Sequence, residues 1–192
     1  FKYSWYLGVI STVLFGSLVL SGVYLMFFYV PSPGSAYANI QTIQTEVAFG
    51  PYIRNVHRWS AHLMGLAVAA HMAKVFYRGA YKPPRQFNWV IGVLLLVITL
   101  LMSFTGYLLP WDQLAFWAVT VGTEMAGYSP FIGSQVQGVL MGGEVVGSST
   151  LLRFYVLHVA VLPASLVFLL MIHLWRWRKD SMLELDRKEP RD

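Results

Sequence analysis

The sequence predicts an all-α membrane protein, a bundle of four transmembrane helices with short interfacial helices between the third and fourth spans. Three observations predict it. Only 12% of the 192 residues are charged and 56% are hydrophobic, whereas a soluble domain carries about 25% charged residues. Four apolar runs reach the roughly 20 residues that cross a bilayer: Trp5–Val30, Val56–Phe76, Trp89–Leu109 and Leu152–Trp175. None of them has the short apolar core and small-residue cleavage site of a signal peptide. The runs are joined by one long connection and two shorter ones, with no soluble domain and no low-complexity segment, so residues 1–192 read as a single membrane domain.

The first connection, Pro31 to about Asn55, opens on the turn-prone Pro31-Ser32-Pro33-Gly34. The second is short and basic and closes on Lys82-Pro83-Pro84-Arg85. The third, about Pro110 to Leu151, is too long for a plain connector. Trp111–Trp117 has the apolar spacing of a helix lying in the membrane interface, and a second short helix is expected around Ser134–Met141. Residues 179–192 form a charged, solvated tail.

Charge location orients the chain. Lys2, Lys74, Arg78, Lys82, Arg85, Arg176, Arg178, Lys179, Arg187, Lys188 and Arg191 fall on one side of the membrane; Arg54, Arg58 and Arg153 fall on the other. The positive-inside rule puts both termini and the second loop on the cytoplasmic side. The expected location is a bacterial cytoplasmic membrane or an equivalent energy-transducing membrane. The net charge of +5 lies at membrane edges, so it does not indicate nucleic acid. The absence of cysteine excludes disulfides, thiolate metal sites and thioether haem attachment by this chain.

All five histidines lie in the second and fourth runs. Ionisable side chains inside a membrane are expensive and mark function. His57 and His71 are 14 residues apart, which returns to within about 40° of the same face over roughly 21 Å. His158 and His173 are 15 apart, about 60° of rotation over roughly 22 Å. Both helices run from outside to inside, so His57 lies level with His158 and His71 with His173. Paired imidazoles suit haem iron, filling both axial positions of an electron-transferring centre; two stacked pairs make a wire across the bilayer. The alternative is hydrogen bonding between helices. His62, about 140° around the helix from His57, faces away and is read as structural.

The two runs without histidine repeat the interval in glycine: Gly8 and Gly22, then Gly92 and Gly106. Glycine lets backbone approach a flat macrocycle closely, though it is also common in transmembrane helix packing. Gly16 lies off the grid. Arg54 and Arg153 on the outer side and Lys74 on the inner side are candidate partners for haem propionates, or snorkelling interfacial cations.

At this point the chain resembles the N-terminal half of cytochrome b, closest to the b6 type. The resemblance is carried by Asn55-Val56-His57-Arg58-Trp59-Ser60-Ala61, by Gly106-Tyr107-Leu108-Leu109-Pro110-Trp111-Asp112-Gln113, and by Thr150-Leu151-Leu152-Arg153-Phe154-Tyr155-Val156-Leu157-His158. It extends over nearly the whole chain, and the 14 and 15 spacings match the b6 pattern. It implies two non-covalent b haems, the outer of low potential held by His57 and His158, the inner of high potential by His71 and His173. It implies quinol oxidation near the outer surface, with one electron leaving through a Rieske iron–sulfur protein to a c-type cytochrome and the other crossing to an inner quinone site. Protons are then released outside and taken up inside. Phe104, Tyr107, Trp117 and Ala118 map onto the wall of the quinol-oxidising pocket, where aromatic contacts suit a quinone head group; an interfacial aromatic belt is the other reading. Arg178 maps onto a basic residue near the inner quinone site.

Two departures carry expectations. Tyr6 stands where b6-type chains have the cysteine that attaches an extra haem, so no thioether-bound haem is expected. The glutamate motif that takes part in quinol deprotonation belongs to later helices, so a subunit-IV-like partner supplying further spans is expected, in a homodimeric complex. A dihaem cytochrome b anchor of a hydrogenase or formate dehydrogenase, and a haem-free membrane scaffold, are the competing readings.

Overall fold

The computed structural model describes residues 6–186, with side chains through residue 180. Expectations for Trp5, Lys2, Arg187, Lys188 and Arg191, and for most of the charged tail, fall outside these residues or their described side chains. All regular elements among them are helical: α1 (Tyr6–Met26), α2 (Ala36–Thr45), α3 (Gly50–Tyr77), α4 (Gln86–Leu108), α5 (Gln113–Gly127), α6 (Gly133–Met141), α7 (Ser148–Val156) and α8 (Leu162–Asp186), the last two joined by a π-helical turn over Leu157–Val161.

Three helices are long and apolar enough to cross a membrane among the described residues: α1, α4 and the continuous Ser148–Asp180. The 28-residue α3 is long enough, but Arg54, Arg58, Lys74 and three histidines lower its apolarity. It starts at Gly50, six residues before the apolar run suggests, because its first turns are polar. The turn-prone Pro31-Ser32-Pro33-Gly34 lies outside any helix, with a turn over residues 33–35, and α2 follows it in the same connection, where no helix was expected. Its helical stretch is too short and too polar to show as a periodic run. The two interfacial helices expected between the third and fourth spans are present as α5 and α6.

The bundle is built from two tight antiparallel pairs. α1 packs along α3, and α4 packs along α7–α8. Between them, at mid-depth, Phe15, Met64 and Leu166 form a buried apolar cluster with Leu14, Leu18, Val68, Leu95 and Ile98 packed around it. Phe15 is seven residues from both Gly8 and Gly22, and Met64 is seven residues from both His57 and His71. Thus the apolar layer falls midway between the two histidine levels, two helical turns from each.

The end that carries α2, α5 and α6, here called the outer end, is closed by the connections. Tyr29 stacks on Tyr155 at 5.6 Å between ring centroids and donates its hydroxyl to the Leu109 carbonyl. Leu151 and Ala36 are fully buried beside them. Tyr24 donates to the Ala48 carbonyl, tying α1 to the turn before α3. Gly50 presses against the Ile43 carbonyl, leaving no room for a Cβ. α5 begins with a side-chain cap: Asp112 accepts from the Ala115 N–H at 2.8 Å. Leu108, Val119 and Phe154 bury its inner face against α4 and α7.

The Asp112 cap gives a direct test. Losing an N-cap costs about 1 kcal/mol, while Asn caps as well as Asp. Asp112→Ala is expected to lower the thermal midpoint of the detergent-solubilised protein, and Asp112→Asn to leave it near wild type.

Candidate functional site

Four intramembrane histidines meet in two layers, each formed across α3 and the α7–α8 rod. In the outer layer the His57 and His158 rings stand 6.3 Å apart between centroids, tilted by 70°. In the inner layer His71 and His173 lie within electrostatic reach of each other. Each imidazole is pressed against a glycine of the neighbouring helix. A Cβ built on Gly22 would lie 3.2 Å from His57 Cε1, on Gly106 2.6 Å from His158 Cε1, on Gly8 3.4 Å from His71 Cε1, and on Gly92 3.6 Å from His173 Cε1. The close approach expected for a macrocycle is seen here for the imidazoles themselves. Gly16, off the interval, has nothing within 4 Å.

The π turn explains the 15-residue spacing. Pro163 has no N–H to give Val159, so the α-helical bond cannot form there. Leu162 N–H instead reaches back five residues to the Leu157 carbonyl. One π turn absorbs one extra residue, a feature common at functional sites. His158 and His173 are then in phase as if 14 apart, within about 40° of one face, the same offset as His57 and His71. The 60° offset expected from sequence is corrected by this turn.

Polar partners fix the outer rings. Ser21 Oγ lies 2.9 Å from His57 Nδ1, and Thr105 Oγ1 lies 3.1 Å from His158 Nδ1. Both hydroxyls sit one residue before a glycine of the interval and were not singled out from sequence; the repeated hydroxyl-Gly pair on two apolar helices was the available signal. Among the described residues, His71 Nδ1 and His173 Nδ1 are buried without a well-formed hydrogen bond, His173 lying beside the Asn88 backbone.

Other expected residues disperse. His62 is exposed and meets Trp59 edge-on at 5.8 Å, away from the layers. Arg54 donates to Gln44 at 3.2 Å. Arg153 donates to the Gly138 carbonyl at 3.1 Å and to the Val139 carbonyl, so it caps the end of α6 rather than facing the bundle interior. Lys74 stands within electrostatic reach of His71. Arg178 is exposed; the basic group engaged one turn past His173 is Arg176, paired at 2.9 Å with buried Asp180. Phe104 and Ala118 pack on the cluster of Leu108, Val119 and Phe154, while Tyr107 and Trp117 are exposed. Trp117 lines an open groove of about 350 Å³ with Phe116, Thr120, Glu124 and Met141.

The donor set fits a planar metal-bearing group. Among the described residues no three His, Cys, Asp or Glu side chains converge, and a bare metal ion would take three or more protein ligands. Two imidazoles suit a metal whose other ligands come with it. Two metal–imidazole bonds of about 2 Å each, with half of each ring, account for the 6.3 Å between centroids.

Fold and site therefore define a helical integral membrane protein with two superposed imidazole pairs, the class of the membrane b-type cytochromes. The chain belongs to the cytochrome b/b6/petB family, whose model matches residues 1–181. It is 47% identical over 167 residues to cytochrome b6 of Heliobacterium modesticaldum (strain ATCC 51547 / Ice1), covering 87% of this chain and 78% of that protein. It is 44% identical over 165 residues to the menaquinol:cytochrome c reductase cytochrome b subunit of Bacillus subtilis (strain 168), covering 85% and 74%. A chain of a hyperthermophilic respiratory Complex III superposes with a TM-score of 0.86 at 31% identity; the match takes in 99% of this chain and 52% of that one, so this chain spans about half its length.

Two predictions follow the geometry of the layers. Gly106→Ala is expected to displace His158 and lower the haem content, Gly92→Ala to be tolerated, and Gly16→Ala to be silent, each read as haem per chain. Deleting Ala160 restores a 14-residue interval and is expected to keep the wild-type haem content. Inserting one alanine there turns His158 by about 100° relative to His173 and is expected to lower it in the same assay.

Proposed function

We propose that this chain is the dihaem b-type subunit of a quinol:cytochrome c oxidoreductase-type complex. His57 and His158 hold the outer haem and His71 and His173 the inner one, both without covalent attachment and without a thioether-bound third. The observation that carries this reading is the pair of histidine layers, in phase on two parallel helices and each backed by glycines. The relatives named as a b6 and as a menaquinol:cytochrome c reductase subunit support it over a hydrogenase or formate dehydrogenase anchor or a haem-free scaffold. The residues act as one membrane domain with spans near 5–30, 56–76, 89–109 and 152–175, and with both termini on the cytoplasmic side.

With haem in both layers the chain supplies one-electron carriage between an outer quinol-oxidising site and an inner quinone-reducing site, the arrangement of a Q cycle coupled to proton translocation. Its own residues do the rest. The four imidazoles would hold the haem irons, two to each haem, and so leave no place there for substrate. Gly8, Gly22, Gly92 and Gly106 admit the histidines and the flat group to the helix backbones. Phe15, Met64 and Leu166 keep water out of the space between layers. Phe104, Tyr107, Trp117 and Ala118 offer flat apolar contact to a quinol head group at the outer face, while Arg178 is assigned to the inner quinone side. Arg54, Arg153 and Lys74 are the cations assigned to propionate pairing. Arg153 would have to leave the α6 carbonyls to take that role.

The complex would add a subunit-IV-like C-terminal half, a Rieske iron–sulfur protein and a c-type cytochrome, as a homodimer in the lipid bilayer. The Complex III likeness and the menaquinol:cytochrome c reductase relative support these partners.

Redox titration of the purified complex in the b-haem absorption region tests the assignment. Two non-covalent haems per chain with separate potentials are expected, one of them lost in His71→Ala. No haem, or no loss in that variant, overturns it.

A further inference from the structure

The two histidine layers are not chemically equivalent, although the sequence interval makes them look so. At the outer layer each Nδ1 meets a hydroxyl: Ser21 Oγ at 2.9 Å and Thr105 Oγ1 at 3.1 Å. Neither hydroxyl has a proton to spare. Ser21 Oγ donates to the Ser17 carbonyl at 2.6 Å and also approaches that of Leu18. Thr105 Oγ1 donates to the Leu101 carbonyl at 2.8 Å and also approaches that of Met102. A hydroxyl has one proton and two lone pairs, so towards the imidazoles both oxygens accept. Nδ1 must then be the protonated nitrogen, which leaves Nε2 with the lone pair a metal needs. Ser21 and Thr105 are also buried, at 5% and 3% exposure, so water does not compete for these bonds.

The Leu18 and Met102 carbonyls lie close to the same two rings, each four residues before the glycine. Asn88 stands in the same place for His173, four residues before Gly92. The helix carbonyl is therefore found in both layers, at His57, His158 and His173, and among the described residues the hydroxyl is the difference between them. Fourteen residues before Ser21 and Thr105 the chain has Leu7 and Ile91, which have no polar atom to offer. Among the described residues, His71 Nδ1 and His173 Nδ1 are buried without a well-formed bond.

We propose that Ser21 and Thr105 are positioning residues that, together with the Leu18 and Met102 carbonyls, hold the Nδ1–H of His57 and His158 and lower the reduction potential of the outer haem. The inference rests on the function proposed above. An imidazole whose Nδ1–H is held by an acceptor is a more basic ligand, and a more basic ligand stabilises the ferric state over the ferrous. Hydrogen bonding around the axial ligand is one of the levers by which a protein tunes haem.

The test is a redox titration of the intact complex, with the outer component identified as the one missing in His57→Ala and the inner as the one missing in His71→Ala. Ser21→Ala and Thr105→Val are expected to raise the outer potential, further in the double variant, with both haems retained and the inner potential unmoved. Thr105→Ser keeps the hydroxyl and is expected to titrate as wild type. The reciprocal variants Leu7→Ser and Ile91→Thr, which place hydroxyls at the inner layer, are expected to lower the inner potential; they decide the matter should an outer-layer variant lose its haem. Two haems with an unmoved outer potential in Ser21→Ala and Thr105→Val would overturn this inference alone. So would an inner potential unchanged by both reciprocal variants. A wild-type complex without haem would overturn the function reading, and this one with it.

Discussion

The structure depends on imidazole rings packed directly against helix backbone. Each of the four layer histidines stands where a neighbouring glycine has no side chain, most tightly at His158 against Gly106. This one contact sets the distance between α1 and α3 and between α4 and α8. It makes the bundle two close pairs rather than four evenly spaced helices. Transmembrane helices gain little from burying apolar surface against one another, because lipid is equally apolar; they associate through close packing and hydrogen bonds. Here both come from the same residues, since the glycine admits the ring and the residue before it, Ser21 or Thr105, bonds it.

The rest of the architecture serves that spacing. The cluster of Phe15, Met64 and Leu166 fills the depth between the two layers and holds the pairs together where no imidazole does. At the outer face the connections form a lid: Tyr29 on Tyr155, the Tyr29 hydroxyl on Leu109, Arg153 on the end of α6. The lid reaches from α1 to α7 and so ties the two pairs to each other at the end where α5 and α6 lie. At the inner face the Arg176–Asp180 pair sits in the last described turns of α8.

Departures from ideal helix fall where a metal-binding group would need them. The π turn at Leu157–Val161 carries His158 and brings it into phase with His173. A π turn weakens local hydrogen bonding, and Pro163 makes that cost unavoidable. The same segment receives the Thr105 hydroxyl, so the least regular part of the rod is also one of its best-anchored rings.

Much was legible in the sequence alone. The apolar runs, the 14-residue interval shared by His57, His71, Gly8, Gly22, Gly92 and Gly106, and the helices α5 and α6 all follow from periodicity, which is a local property of the chain. The polar start of α3 and the short α2 were missed because polarity hides a helix whose partner is another helix rather than lipid. The phase of His158 against His173, the hydroxyls behind the outer rings and the engagement of Arg153 by α6 were decided by tertiary structure. The phase is set within one rod by the π turn, while the other two depend on atoms brought together from different helices: Thr105 is 53 residues from His158 and Ser21 is 36 from His57. The sequence by itself determined which residues could form two layers; only packing decided that the two layers would differ, because a hydroxyl becomes an acceptor for one ring nitrogen only when its own helix has already taken its proton.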